Sequence, residues 1–155
     1  MPNVKTILMP TDFSESSEEA VTYAQLLAEK FGATLHLLHV VQDPYTQPWG
    51  AEAYGVSLPN LLEEMEQNAR ARLETILPES ERTRFNVQME IKVGSPFVEI
   101  LRYASDKNID LIVMGTHGRG AVAHMFLGSV AEKVVRKAAC PVLTVRQPGH
   151  EFVRP

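Results

Sequence analysis

The sequence predicts an α/β protein of the three-layer, doubly wound, Rossmann-like class, with helices on both faces of a five-stranded parallel sheet. Short apolar runs alternate along the chain with longer segments of helical period. This alternation is typical of parallel strands joined by right-handed helical crossovers. The 155 residues are enough for one self-sufficient core, so we assign residues 1–147 to a single domain and 148–155 to a flexible tail.

The first half of the chain predicts two strands and two helices. The first strand is Lys5–Met9, and Pro10 ends it because proline has no amide hydrogen for a ladder. The helix after it has a capping-box pattern at Ser16 and Glu19 and a left-handed C-cap at Gly32. The next elements are a strand at Ala33–Val41 and a helix from Pro59 to near Pro78.

The second half adds three strands and two helices. Alternation of apolar and polar residues over Phe85–Val93 predicts a strand with one wetter face, which we place at an edge of the sheet. Ser95 and Pro96 are typical of a helix start. The remaining elements are a strand at Leu111–Met114, a helix at Ser129–Ala139 and a strand at Pro141–Val145. The irregular segment 42–58 is long enough to be a flap or a binding loop.

Charge and composition argue against several classes of protein. The 15 basic residues are scattered among 19 acidic ones, for a net charge of −4, so we expect no nucleic-acid partner. No apolar run approaches the ~18 residues of a membrane span, and the N-terminus has no secretory core. We therefore expect a cytoplasmic protein without a membrane partner. Cys140 is the only cysteine, which excludes an internal disulfide.

Three segments reach the carboxyl ends of predicted strands, where open parallel sheets bind ligands. The most informative combines Gly115, Gly118 and the pair Gly128-Ser129, with the spacing Gly-x2-Gly-x9-Gly-Ser. Glycines allow the backbone to approach a ligand closely, and bare amides at a helix N-terminus favour anions. This pattern predicts a site for phosphate groups.

Asp12, at the end of the first strand, has the complementary chemistry. A carboxylate can accept hydrogen bonds from the two hydroxyls of a ribose, and it repels phosphate. We therefore expect the sugar of a nucleotide toward Asp12 and its phosphates toward Gly118 and Gly128. Two local alternatives stay open, in which Asp12 caps the first helix and Ser129 caps the last one.

The histidines and Arg119 have less specific interpretations. His117 and Arg119 could serve catalysis, but we interpret them as residues near the phosphates or as solvated loop residues. His36 and His39 lie in an apolar strand and are interpreted as core residues. The chain has neither a Gly-Lys-Ser/Thr phosphate loop nor a Gly-x-Ser-x-Gly elbow, which argues against the corresponding NTPases and hydrolases.

These motifs resemble the universal stress protein family over nearly the whole chain. The resemblance depends on Pro10-Thr11-Asp12, the HVV ending of the second strand, and VMGTHGRG followed by Gly128-Ser129. The glycine spacing is similar to that of the ATP-binding branch of the family. The resemblance implies a strand order of 3-2-1-4-5, ATP bound with Mg²⁺ or Mn²⁺, and a homodimer paired through Pro141–Val145.

The resemblance also implies a role for each matching residue. Asp12 would meet the ribose, the Val40 backbone the adenine edge, and Gly115 the sugar. The phosphates would lie on Gly118, Gly128, Ser129 and Val130, with the divalent ion bridging them. The complete expected ATP site, with no catalytic residue and no protein ligand to the metal, is Pro10, Thr11, Asp12, Val40, Met114, Gly115, His117, Gly118, Arg119, Gly128, Ser129 and Val130.

Two other functions remain compatible with the sequence. One is slow ATP hydrolysis or self-phosphorylation involving Thr116, His117 or Ser129. The other is a nucleotide-free dimeric interaction module that uses residues 42–58.

Overall fold

A computed structural model describes residues 3–44, 58–117 and 127–147. These residues form a parallel sheet in the order β3-β2-β1-β4-β5. Its strands are β1 (Thr6–Pro10), β2 (Thr34–Val41), β3 (Gln88–Val93), β4 (Leu111–Gly115) and β5 (Val142–Val145). The helices are α1 (Glu15–Phe31), α2 (Leu58–Ile76), α3 (Glu79–Arg84), α4 (Pro96–Asp106) and α5 (Ser129–Lys137). The predicted fold class, strand order and edge position of the third strand are confirmed.

Some predictions fall on other parts of the chain. Most of the predicted 42–58 loop and the predicted tail lie outside the described residues. Within the three described ranges, no helix is both long enough and apolar enough to cross a membrane.

Each face of the sheet has its own apolar core. Residues of β1 and β2 alternate between the two faces, so Ile7 and Leu35 belong to one core and Leu8 and Leu38 to the other. The first core is completed by α1 and α2, and the second by α4 and α5. The central strands are apolar on both faces because helices exclude water from both.

The start of α1 differs from the prediction. Its N-cap is Ser14, whose Oγ accepts a hydrogen bond from the Ser17 amide at 3.3 Å. Ser16, predicted as the cap, lies in the first turn and is only 5% exposed. The serine-rich run offers several possible caps, and the amide of the actual cap, Ser14, donates to the Asp12 Oδ1 at 3.0 Å. The predicted C-cap is confirmed, since Gly32 ends the helix with a φ of +64°.

The connection before β3 also differs from the prediction. The short helix α3 has no apolar stripe and was not predicted from the sequence. Phe85 is the C-cap of α3 and Asn86 has a φ of +47°, so β3 begins at Gln88 and not at Phe85. The start of α4 follows the prediction, with Ser95 as N-cap and Pro96 in the first turn.

His36 of β2 and Tyr103 of α4 share a buried hydrogen bond of 2.9 Å between Nδ1 and the hydroxyl group. Their exposed fractions are 8% and 4%. Burial lowers the pKa of His36, and the nearby Lys107 lowers it further. Burial and the charge of Glu90 raise the pKa of Tyr103. His36 is therefore the core residue that the sequence predicts.

We expect the free energy of unfolding to decrease as pH falls below the unfolded-state pKa of His36, 6.5. The folded-state pKa is lower, so protons bind the unfolded chain preferentially and the stabilisation present above this pH is lost below it. Urea unfolding from about pH 8 to about pH 5 measures the effect. A His36→Asn variant, which cannot titrate in this range, should show a smaller pH dependence. An unchanged dependence in that variant would contradict the assignment.

Candidate functional site

A cavity of about 660 Å³ opens at the carboxyl ends of β1, β2 and β4. It lies at the point where the chain reverses its winding direction, between β1 and β4. The structure brings together around it the predicted site residues that it describes, which are Pro10, Thr11, Asp12, Val40, Met114, Gly115, His117, Gly128, Ser129 and Val130. The two others, Gly118 and Arg119, lie outside the described residues.

The cavity exists because β2 continues past the end of β1. The last hydrogen bond between them runs from the Thr11 amide to the Leu38 carbonyl at 2.9 Å. The backbone groups of a parallel strand alternate between its two neighbours, so those of Val40 face the same side as those of Leu38. The Val41 carbonyl faces β3 and accepts the Gly94 amide at 2.9 Å. The amide and carbonyl of Val40 therefore face the cavity beyond the end of β1.

His39 lies at this strand end, as the HVV ending of the second strand predicts, but the sequence assigns it no role in the site. Its Nδ1 is 2.8 Å from the Thr11 carbonyl, which would otherwise continue the ladder. Because a carbonyl only accepts hydrogen bonds, Nδ1 carries the hydrogen. The interpretation of His39 as a core residue is thus incomplete, since its half-buried side chain also lines the cavity.

Asp12 follows β1 and lies in the cavity wall. Its Oδ1 accepts the Ser14 amide at 3.0 Å, the local bond of an Asx turn. Asp12 therefore fixes the turn that leads into α1, whereas the N-cap itself is Ser14. The alternative in which Asp12 is the N-cap of the first helix is therefore wrong. Its half-buried carboxylate is positioned by the backbone that follows it.

Gly115 lines the cavity, but its missing Cβ faces α1. A Cβ built at this position would lie 2.5 Å from the Ser16 Oγ and 2.6 Å from the Ser16 backbone oxygen. These distances are far below van der Waals contact, so any side chain here would push α1 away from β4. The glycine pattern predicts that Gly115 allows close approach of a ligand, and the structure supplies a packing reason as well.

Thr116 and His117 follow Gly115 and are bonded to each other. The Thr116 Oγ1 lies 2.9 Å from the His117 Nδ1, and Thr116 is 2% exposed. The His117 amide donates to the Ser16 Oγ at 3.3 Å. Ser16, misassigned as a helix cap, therefore connects α1 to the segment that follows β4.

The first turn of α5 forms another wall of the cavity. Its N-cap is Gly128, which has no side chain to bond the first amides, and Ser129 is the first helical residue. The predicted alternative in which Ser129 caps this helix is therefore wrong. The Gly128 amide donates to the Thr116 carbonyl at 2.6 Å, which joins α5 to the end of β4. The exposed Ser129 hydroxyl and the first-turn amides lie where the helix dipole favours an anion.

A further wall of the cavity comes from α2, a contribution that the sequence did not predict. Met65, Asn68, Ala69 and Arg72 line the cavity together with Phe13. The guanidinium carbon of Arg72 lies 4.1 Å from the centre of the Phe13 ring. The helical period of α2 predicts its apolar face. No local signal shows that its other residues reach the carboxyl end of β1.

The described residues contain no group of three or more His, Cys, Asp or Glu side chains that could hold a metal ion. Among the described cavity-lining residues, Asp12, His39 and His117 have side chains of these types. Each of the three is bonded to a different neighbour, as described above. A divalent ion held by the ligand alone, without protein ligands, stays a prediction.

Comparison with known proteins places the chain among its relatives. The family model described as the universal stress protein family matches residues 3–146. The chain belongs to this family. It is 37% identical over 147 residues to universal stress protein MJ0531 of Methanocaldococcus jannaschii, with 95% of this chain and 85% of the relative covered.

Solved structures of relatives have the same fold. The structure of the protein MJ0577, a universal stress protein of Methanocaldococcus jannaschii, matches with a TM-score of 0.81 at 33% identity and covers 95% of this chain and 99% of the other. Universal stress protein UspA from Lactobacillus plantarum matches with a TM-score of 0.79 at 30% identity, covering 93% and 99%. A universal stress protein solved in complex with cAMP is 24% identical and shows the shared fold.

We expect Gly115→Ala to reduce the free energy of unfolding by about 3 kcal/mol, because the new Cβ overlaps the Ser16 backbone. Gly32→Ala is the matched control, since Gly32 has a φ of +64° but nothing lies within 4 Å of the position that its Cβ would take. It should cost only about 1 kcal/mol, from backbone strain. Urea unfolding without ligand measures both variants, and equal losses would contradict the packing role of Gly115.

Proposed function

We propose that this universal stress protein binds ATP, with Mg²⁺ or Mn²⁺, in the cavity at the strand ends and acts as a cytoplasmic stress-response module. One observation supports this proposal most strongly. Val40 and Asp12 stand at the ends of β2 and β1, and Gly128 stands at the start of α5, which a hydrogen bond to Thr116 joins to the end of the next strand, β4. Their order matches the order of base, sugar and phosphates in a nucleotide. Two strand spacings together span about 10 Å.

The Val40 backbone suits the edge of an adenine base. Its carbonyl can accept from the exocyclic amino group, and its amide can donate to a ring nitrogen. Guanine presents the opposite order of donor and acceptor at that edge. Met114 and Ile100 line the same cavity and supply apolar surface for the faces of the ring.

Asp12 suits the ribose. Its carboxylate lies in the cavity wall, with its orientation fixed by the Ser14 amide. Hydrogen bonds from sugar hydroxyls to a charged oxygen contribute about 1.5–3 kcal/mol each. The same charge repels phosphate, so Asp12 also sets the direction in which a nucleotide enters the cavity.

The start of α5 suits the phosphates. Gly128 leaves the first turn without a side-chain cap, and the exposed Ser129 hydroxyl lies beside it. Contacts with a helix N-terminus contribute about 0.3–1 kcal/mol each when exposed. We propose that Gly118 and Arg119 complete this end of the site and that the divalent ion bridges the phosphates. Because the net charge is −4, local dipoles and the ion must supply the attraction.

The last strand suits pairing with a second copy. β5 lies at an edge of the sheet, and its Leu143 side chain is 38% exposed. An exposed apolar edge strand is a template for pairing with another strand. We propose that two copies associate through Pro141–Val145, which would remove this unprotected edge.

Asp12→Ala should weaken ATP binding about tenfold or more, because the sugar loses a charged acceptor. Binding of inorganic tripolyphosphate should stay the same or strengthen, since the variant removes a negative charge. Titration calorimetry with Mg²⁺ and each ligand makes the comparison. Equal losses for the two ligands would contradict the role of Asp12 in sugar recognition.

Gly128→Asp is the reciprocal control in that experiment. Aspartate is a favoured N-cap, so α5 should remain folded, but its charge should abolish binding of both ligands. Gly128→Asn has nearly the same shape without the charge and should bind more tightly than the aspartate variant. Unchanged ATP affinity in folded Gly128→Asp would contradict the phosphate site.

Light scattering at micromolar concentration should give twice the 17.3 kDa mass of the chain. The Pro141 and Val145 carbonyls accept hydrogen bonds on the side of β4. Because the backbone groups of successive residues point to alternate sides of a strand, those of Thr144 face outward. Thr144→Pro therefore removes an outward amide without breaking the β4 ladder and should yield a monomer. Thr144→Val should remain dimeric. A monomeric wild-type protein would contradict the proposed pairing.

A further inference from the structure

We propose that His39 and Arg72 are positioning residues that hold Asp12 in the orientation required for ribose binding, acting through Phe13. This inference rests on the proposed nucleotide function and deepens it. Neither residue belongs to the nucleotide site that the sequence predicts. Both line the cavity, His39 from β2 and Arg72 from α2.

His39 controls the peptide group that precedes Asp12. Its Nδ1 donates to the Thr11 carbonyl at 2.8 Å. That carbonyl belongs to the peptide bond that joins Thr11 to Asp12, so the imidazole fixes the plane from which the Asp12 backbone starts. The bond replaces ladder support at the point where β1 has ended.

Phe13, directly after Asp12, has an unfavourable backbone conformation. Its φ is +62°, in the left-handed region that residues with a Cβ rarely adopt. Such residues persist only where their surroundings hold them, and they concentrate at ligand sites. Here the Phe13 amide donates to the Thr11 Oγ1 at 3.0 Å.

The Phe13 side chain is held by two different elements. Its ring centre lies 4.4 Å from that of His39, with 31° between the ring planes. The Arg72 guanidinium carbon lies 4.1 Å from the same ring centre, within the range of a cation–π contact. β2 and α2 therefore both hold the residue that determines how the chain leaves Asp12.

Asp12 is thus constrained on both sides. The peptide before it is held by His39, and the residue after it is held through its ring. The Ser14 amide bonded to Oδ1 fixes the carboxylate itself. A carboxylate ordered before binding loses less freedom when the sugar arrives, which favours affinity for the sugar in particular.

The test compares the affinities of ATP and 2′-deoxy-ATP, both with Mg²⁺, in each variant by titration calorimetry. A carboxylate that binds both ribose hydroxyls should make the wild type prefer ATP about tenfold or more. Asp12→Ala should reduce this ratio to about one. The ratio reports on sugar recognition, and a general loss of stability does not change it.

The His39 variants separate the hydrogen bond from the ring. His39→Phe keeps an aromatic ring against Phe13 but removes the donor, and it should reduce the ratio at least about threefold. His39→Asn keeps a donor near the position of Nδ1 and should preserve most of the ratio. His36→Phe, in the same strand but outside the cavity wall, controls for the loss of an imidazole and should keep the wild-type ratio.

The Arg72 variants test the other support of Phe13. Arg72→Met keeps the aliphatic stem without the guanidinium and should also reduce the ratio, with tripolyphosphate affinity unchanged. Arg70→Met is the matched control, because Arg70 is an exposed arginine of the same helix that does not line the cavity. It should behave as the wild type.

Two patterns of results would overturn the inference while leaving the proposed function intact. One is a wild-type ratio in both His39→Phe and Arg72→Met. The other is an equal loss of ATP and tripolyphosphate affinity in Arg72→Met, which would assign Arg72 a direct phosphate contact. A wild-type protein that binds no ATP would instead contradict the proposed function itself. If either His39→Phe or Arg72→Met does not unfold cooperatively, the other variant alone tests the positioning role.

Discussion

The site depends on one difference in strand length, because β1 ends at Pro10 while β2 continues to Val41. The end of β1 turns the Val40 backbone from a ladder partner into a surface of the cavity. It also leaves the Thr11 carbonyl for the His39 imidazole at 2.8 Å. Pro10 still pairs with Leu38, and the ladder ends one residue later, where the His39 imidazole bonds the Thr11 carbonyl. The same interruption places Asp12 beyond the sheet, where its carboxylate can meet a ligand.

A second constraint joins the two sides of the crevice at Gly115. The close approach of α1 to β4 leaves no space for a side chain there, as the 2.6 Å distance to the Ser16 backbone oxygen shows. Ser16 then accepts the His117 amide, and the Thr116 carbonyl accepts the Gly128 amide. These bonds connect α1, β4 and α5 through adjacent residues. We therefore expect a disturbance at Gly115 to reach both α1 and the start of α5, even where the ligand does not touch Gly115.

The sequence was sufficient to predict the fold class, because the apolar period and the Gly32 cap are local signals, although Pro10, predicted to follow the first strand, is its last residue. Strand order and much of the cavity came from the family resemblance and from the rule on strand ends. The serine run before α1 hid the true cap, since the extended backbone of Ser14 and its bond to the Ser17 amide are seen only in the structure. α3 has no apolar stripe, and the contribution of α2 to the cavity depends on tertiary placement. His39 and Arg72 could not be found locally, because their roles come from contacts with Phe13 across the fold.

The two outer strands of the sheet differ in how open they are to new neighbours. β3 carries the ion pair of Glu90 and Lys92, with both side chains 42% exposed, whereas β5 presents the exposed Leu143. Charges on an outer strand oppose the addition of a further strand. In two molecules joined at β5, the remaining edges of the combined sheet would be the two β3 strands, which carry these charges. Growth would stop at a closed pair, and the chain would be protected from forming open-ended fibres.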